Sequence, residues 1–119
     1  MSDALFDVNL QQLPDEFLTG VWQVASRVLN QTDPGSVLAL AERLALEPGR
    51  VQVQGPDLQD QGQWLVQRDT LLNRPYLELA LGQGQTRALV TRLRRSRTGS
   101  ESQLNLYFQS GMEMQLTQP

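Results

Sequence analysis

Apolar and polar residues alternate with period two from Gln103 to Thr117. Leu104, Leu106, Phe108, Met112, Met114 and Leu116 occupy one phase, and Asn105, Tyr107, Gln109, Glu113, Gln115 and Thr117 the other. That is the pattern of a half-buried β-strand. At ~3.3 Å per residue an unbroken strand would run roughly 50 Å, so Ser110-Gly111 is expected to bend or turn it. A two-residue loop would set Phe108 opposite Glu113. A three-residue loop over Ser110 to Met112 sets Gln109 opposite Glu113 and Phe108 opposite Met114, which keeps both faces consistent.

Phe6, Val8 and Leu10 alternate with polar neighbours in a short strand-like opening. Pro14-Asp15-Glu16 then suits a helix start, with Pro in the first turn and acids at the positive dipole end. Phe17, Leu18, Val21, Trp22, Ala25, Val28 and Leu29 recur at spacings of three and four, predicting a helix with one buried stripe and Trp22 in the core. Thr32-Asp33-Pro34 separates it from a second helix that buries Val37, Leu38, Leu40, Ala41, Leu44 and Ala45 and stops at Glu47-Pro48-Gly49.

After Val51 and Val53, the polar, turn-rich run from Gly55 to Gly62 reads as a surface loop. Strands follow at 63–68, 76–81 and 87–95, with Gly82 to Gln85 as a hairpin loop. Short connections favour an antiparallel meander. The fold expected is one α+β domain over residues 1–119, two N-terminal helices packed on an antiparallel sheet of four to six strands.

Composition removes most chemistry. The chain has 119 residues, no Cys and no His, which excludes disulfides, thiol nucleophiles, imidazole acid-base catalysis and the usual zinc sites. All ten basic residues are Arg, so lysine-dependent P-loop and Schiff-base roles go too. No apolar run approaches the ~20 residues of a membrane span and no secretory leader is evident, so a soluble cytoplasmic protein is expected. No enzyme activity, cofactor or metal is indicated.

Charge is uneven. Arg92, Arg94, Arg95 and Arg97 lie within six residues; without these four, the net charge of −3 becomes −7. An acidic body with one basic turn argues against broad nucleic-acid affinity and suits a focal anionic contact. Forked guanidiniums match phosphate and carboxylate oxygens, and reading bases would also need aromatic partners, for which Tyr107 is the nearby candidate. Solvated loop residues are the plainer reading of the same cluster. Asp57 and Asp60 lack a further ligand cluster and read as loop carboxylates. Gly82-Gln83-Gly84 opens no helix and is a turn signal. Asn105 to Gly111 looks like a tag-removal protease site, but Leu104 stands where that site has Glu, and the alternation continues past it. It is read as native strand, with an engineering scar as the alternative.

Between Tyr76 and Met114 the order is a strand ending in Gly82, then Arg92-Leu93, Arg95-Ser96-Arg97, Gly99-Ser100, Phe108 and Ser110-Gly111-Met112-x-Met114. This run resembles the photosystem II 28-kDa assembly-factor family; residues 1–74 have no counterpart there. The resemblance implies a non-enzymatic, β-rich factor docking peripherally on the cytoplasmic face of an assembling membrane complex, with Arg95 and Arg97 in the family's basic turn.

The expectation is therefore a small, non-catalytic binding or assembly protein. It would contact a protein partner through Arg92, Arg94, Arg95, Arg97 and Tyr107 and through the adjoining strand edge, which could also support homo-oligomers. The alternatives are a nucleic-acid binder using the Arg92 to Arg97 turn and a small-ligand domain with its pocket between helices and sheet.

Overall fold

A computed structural model describes residues 4–82 and 84–118. Among them run nine antiparallel strands: β1 (Leu5–Asp7), β2 (Gly20–Val28), β3 (Arg43–Glu47), β4 (Arg50–Gly55), β5 (Leu58–Arg68), β6 (Pro75–Leu81), β7 (Gly84–Ser96), β8 (Ser102–Phe108) and β9 (Glu113–Gln118). From β2 to β9 each strand pairs with the next, and β9 pairs back with β2, closing an eight-stranded up-and-down barrel. β1 lies outside this ring, pairing Leu5 to Asp7 with Ser96 to Arg94, beyond the point where β6 leaves β7.

The two predicted helices are absent. Their place holds a 3-10 turn at Asp15–Leu18, the strands β2 and β3, and one helical turn, α1 (Val37–Leu40). The first was misread because β2 carries a bulge between Val24 and Ser26. A bulge inserts one extra residue and breaks the period of two. Val21, Ala25 and Val28, which complete the helix-like spacing with Trp22, therefore lie exposed on the barrel's outer side, while Trp22 is fully buried. In the second segment a Leu- and Ala-rich run has good helix propensity, but Leu44 and Leu46 are buried between β2 and β4. Sheet pairing overrides the local preference.

The α+β expectation and its sheet of four to six strands thus give way to a barrel. The expected surface loop at 55–62 is also corrected: only Pro56 and Asp57 lie between β4 and β5, which pair from Val51↔Gly62 to Gly55↔Leu58. Leu58, Asp60, Gly62, Trp64 and Val66 form the inward phase of β5, and one acid and one glycine in it hid the strand.

The strands predicted at 63–68, 76–81 and 87–95 are present within β5, β6 and β7. Leu81 pairs with Gly84 across the hairpin expected at Gly82–Gln85; Gln83 in it lies outside the described residues. Of the bend and the three-residue hairpin left open by the phase argument, the hairpin forms, but its turn sits one position earlier than Ser110 to Met112. Leu106 pairs with Met114, and Phe108 N–H donates to the Met112 carbonyl at 2.8 Å around Gln109-Ser110-Gly111. Leu104, Leu106, Phe108, Met112, Met114 and Leu116 are all buried, so the segment that looks like a protease site is part of the core.

Alternating strand directions sort the connections to two ends. One end carries residues 29–42 and the turns β4–β5, β6–β7 and β8–β9. The other carries residues 9–19, the turns β3–β4 and β7–β8, and the loop from Asp69 to Arg74. The interior between them is filled, with Trp22, Leu44, Leu46, Val51, Val53, Leu77, Leu79, Val90, Leu93, Leu104, Leu106 and Phe108 each 2% exposed or less.

Candidate functional site

The basic residues gather at the second end. β7 brings Arg92, Arg94 and Arg95 toward the β7–β8 turn, which carries Arg97. Ser96 fixes that turn: its hydroxyl accepts from Glu101 N–H at 3.1 Å, and its own N–H donates to the Glu101 carbonyl at 2.9 Å. Gly99 has φ +77°, and a Cβ there would stand 2.7 Å from Arg95 Nη2. The glycine both makes the turn and clears space for the guanidinium.

The N-terminal segment supplies partners that sequence spacing does not join. Asp7 accepts from Arg92 Nε at 2.7 Å and Nη2 at 3.3 Å, a forked pair exposed to water. That bond, helped by attraction to Arg92 and Arg94, holds the Asp7 carboxyl below the usual carboxylate range; the same bond and the attraction of Asp7 raise Arg92. Arg95 lies 3.8 Å above the centroid of the Phe17 ring, and Arg97 lies 5.6 Å from that of Phe6. Among the described residues no carboxylate stands within ion-pair distance of Arg94, Arg95 or Arg97. Phe6, Val8 and Phe17 border a shallow groove with residues 95–99.

Four of the five predicted contact residues are therefore together, and the fifth is not. Tyr107 is half exposed beside Leu89 and Glu113, at the far end of β8 from the basic turn. The predicted strand edge is not free either, since β7 pairs with β1, β6 and β8, and β8 pairs with β7 and β9. Ring closure occupies both edges of β7 and β8, while β1, outside the ring, has a strand partner on one side only among the described residues.

Sequence reasoning missed Phe6, Asp7 and Phe17 as members of the site. Phe17 had been assigned to a helix stripe, and nothing local ties any of the three to residues near position 95.

At the opposite end, residues 29–41 fold over the barrel mouth. Asn30 Nδ2 donates to the Gly111 carbonyl at 2.6 Å, the Thr32 and Ser110 hydroxyls are 2.8 Å apart, and Arg27 Nη1 donates to the Leu38 carbonyl at 3.2 Å. Between this cover and two hairpins is a cleft of about 250 Å3, lined in part by Val37, Leu38, Leu81, Phe108 and Met112. The pocket expected between helices and sheet does not exist in that form, because the helices do not.

Asp60 is inward-facing and strand-borne. Its Oδ1 accepts from Gly82 N–H at 3.0 Å and Gln61 N–H at 2.7 Å. No group of three or more Asp or Glu suited to a metal occurs among the described residues, and no helix there is long and apolar enough to cross a membrane.

No protein-family model, curated protein or solved structure matches the chain. The likeness of residues 76–114 to a photosystem II assembly factor is untouched by these comparisons. The assembly role expected from it is left without support, and the segment itself is three consecutive strands and the start of a fourth in a closed barrel.

Proposed function

We propose that this chain is a non-catalytic binding protein that docks the basic end of its barrel on an anionic partner surface. The observation carrying this reading is the set of three guanidiniums, Arg94, Arg95 and Arg97, left without a carboxylate partner among the described residues on an otherwise acidic body. Phe6 and Phe17 support two of them from below and orient them without neutralising them. Phe6 and Phe17 are thereby taken up by cations, as is Tyr76 by Arg87 at the start of β6, and Tyr107 is at the other end of its strand. That disfavours base stacking and a nucleic-acid partner.

The test is retention of the full chain on a polyglutamate matrix at low salt. Retention should fall as salt is added and be lost in the Arg94→Gln/Arg95→Gln/Arg97→Gln variant, with far-ultraviolet circular dichroism confirming the fold. Equal retention of the two proteins would overturn the reading.

The cleft beneath residues 29–41 favours a second reading, a site for a small apolar molecule. Its walls are mainly apolar, with Asp33, Gln85 and hydroxyl side chains among them, and its cover is held by side-chain hydrogen bonds. Binding of 1-anilinonaphthalene-8-sulfonate with enhanced fluorescence, abolished by Leu38→Asp in a folded variant, is the expected result; no enhancement removes this reading.

A further inference from the structure

The basic end carries a second feature that core formation does not require. Leu71 is 88% exposed and its neighbour Leu72 51%, on the loop between β5 and β6. Two adjacent leucines at a loop tip lose favourable burial unless something covers them.

The loop holds them in a defined geometry. The Asp69 carboxylate accepts from Leu71 N–H at 3.1 Å, Leu72 N–H at 2.5 Å, Arg74 N–H at 3.3 Å and Arg74 Nε at 3.0 Å. Asn73 takes φ 54°, its N–H donates to the Asp69 carbonyl, and its own carbonyl accepts from Arg68 Nη1 at 3.0 Å. A loop tied at Asp69, Asn73 and Arg74 is built to display its tip.

The same contacts join this loop to the basic patch. Arg68 also donates to the Leu10 and Leu13 carbonyls, in the segment that leads to Phe17, and Phe17 lies under Arg95. The exposed leucines, Arg74, Arg95, Arg97 and the half-exposed Phe6 therefore share one end of the molecule.

We propose that this end is a docking surface for an anionic phospholipid bilayer, with Leu71 and Leu72 entering the headgroup-acyl boundary and Arg95 and Arg97 meeting the lipid phosphates, while Arg74 stays paired with Asp69 at 3.0 Å. The proposal rests on the docking reading above and names its partner. A protruding apolar tip needs a pocket in a protein partner, whereas lipid deforms around it, and guanidiniums at the same end complement phosphate. Asp7, Asp15, Glu16, Glu47, Asp69 and Glu101 belong to the same end, so the net attraction is modest and apolar insertion leads. Docking of this kind is peripheral and needs no spanning helix.

Flotation of the full chain with vesicles tests it, using phosphatidylcholine alone and phosphatidylcholine mixed with phosphatidylglycerol. The chain should float with the mixed vesicles and much less with the neutral ones. Leu71→Ser/Leu72→Ser should weaken partition about tenfold or more. Arg95→Gln/Arg97→Gln should weaken it several-fold on the mixed vesicles alone, and circular dichroism checks that both variants fold. Absence of flotation with anionic vesicles, equal flotation with both kinds, or an unaltered leucine variant would each overturn the proposal. Polyglutamate retention without flotation would leave the docking reading standing and remove only the lipid; loss of both would remove both.

Discussion

Arg68 Nη2 donates to the Leu13 carbonyl at 3.0 Å, tying the last residue of β5 to the segment that closes the barrel's basic end. Its Nη1 reaches the Leu10 and Asn73 carbonyls, also at 3.0 Å, so one guanidinium satisfies three backbone acceptors from two separate loops. These carbonyls belong to irregular chain and have no ladder to accept from.

Replacing Arg68 with Met keeps the aliphatic stem and removes the donors. Hydrogen bonds from a charged group to otherwise unmet acceptors are worth enough that the variant should lose about 2–3 kcal/mol in urea unfolding. The loss should be accompanied by faster amide exchange at Gln12 and Asn73, which donate within the two anchored loops. A stability unchanged from wild type would show that the loops close without this anchor.

Trp22 offers a different test, because its burial and its hydrogen bond are separable. The side chain is fully buried, and its Nε1–H donates to the Leu18 carbonyl at 2.9 Å. Trp22→Phe keeps an aromatic ring but leaves a void and an unpaired buried acceptor, and should cost about 2–4 kcal/mol. Denaturant titration measures the cost, and a loss below 1 kcal/mol would mean that the core relaxes around the smaller ring.

Much of the β half of this molecule was legible in the sequence, and the reason is visible in particular residues. From Tyr76 onward most inward positions are apolar and the turns are short, so the period of two stands out despite a bulge between Val90 and Arg92 and the buried Ser96 and Ser102; Leu104, Leu106, Phe108, Met112, Met114 and Leu116 all proved buried. Trp22 was placed in the core although its element was wrong, because size and hydrophobicity hold in either setting. The first half failed where β-structure departs from apolar-polar alternation, at the bulge near Ala25 and at Asp60 and Gly62 on the inward phase of β5, and in β3, whose Leu- and Ala-rich sequence favours helix locally.

Closure of the ring was not legible, since it depends on β9 meeting β2 across nearly the whole chain. The Arg cluster was visible as charge, whereas its rings and its ion pair arrive from the N-terminal segment through the fold.

The Asp7–Arg92 pair should make the seating of β1 sensitive to acid. Asp7 titrates below its ordinary range in the folded protein, so its contribution is complete above the ordinary carboxylate pKa and fades as pH falls through the lowered one. Val8 N–H donates to the Leu93 carbonyl at 2.8 Å and reports locally on this docking. Its protection from exchange, relative to core amides, should fall on acidification. Asp7→Asn should weaken protection at neutral pH and remove the acid dependence; a pH dependence retained in that variant would point to another carboxylate.

Gly62 tests the β5–β6 seam of the ring. It sits opposite Leu81 where β5 and β6 begin their pairing, and a Cβ built on it would collide with the Ala80 carbonyl oxygen and crowd the Leu81 backbone. The obstruction is backbone, which cannot swing aside as a flexible side chain can. Gly62→Ala should therefore force the two strands apart and cost about 3 kcal/mol, the upper part of the range for overpacking. Gly35→Ala is the matched control: its nearest neighbour is Asp33 Oδ1 at 3.5 Å, an ordinary contact, so its melting temperature should remain close to wild type. Equal stabilities for the two variants would mean that β5 and β6 accommodate a side chain at this point, and that the barrel does not depend on their close approach there.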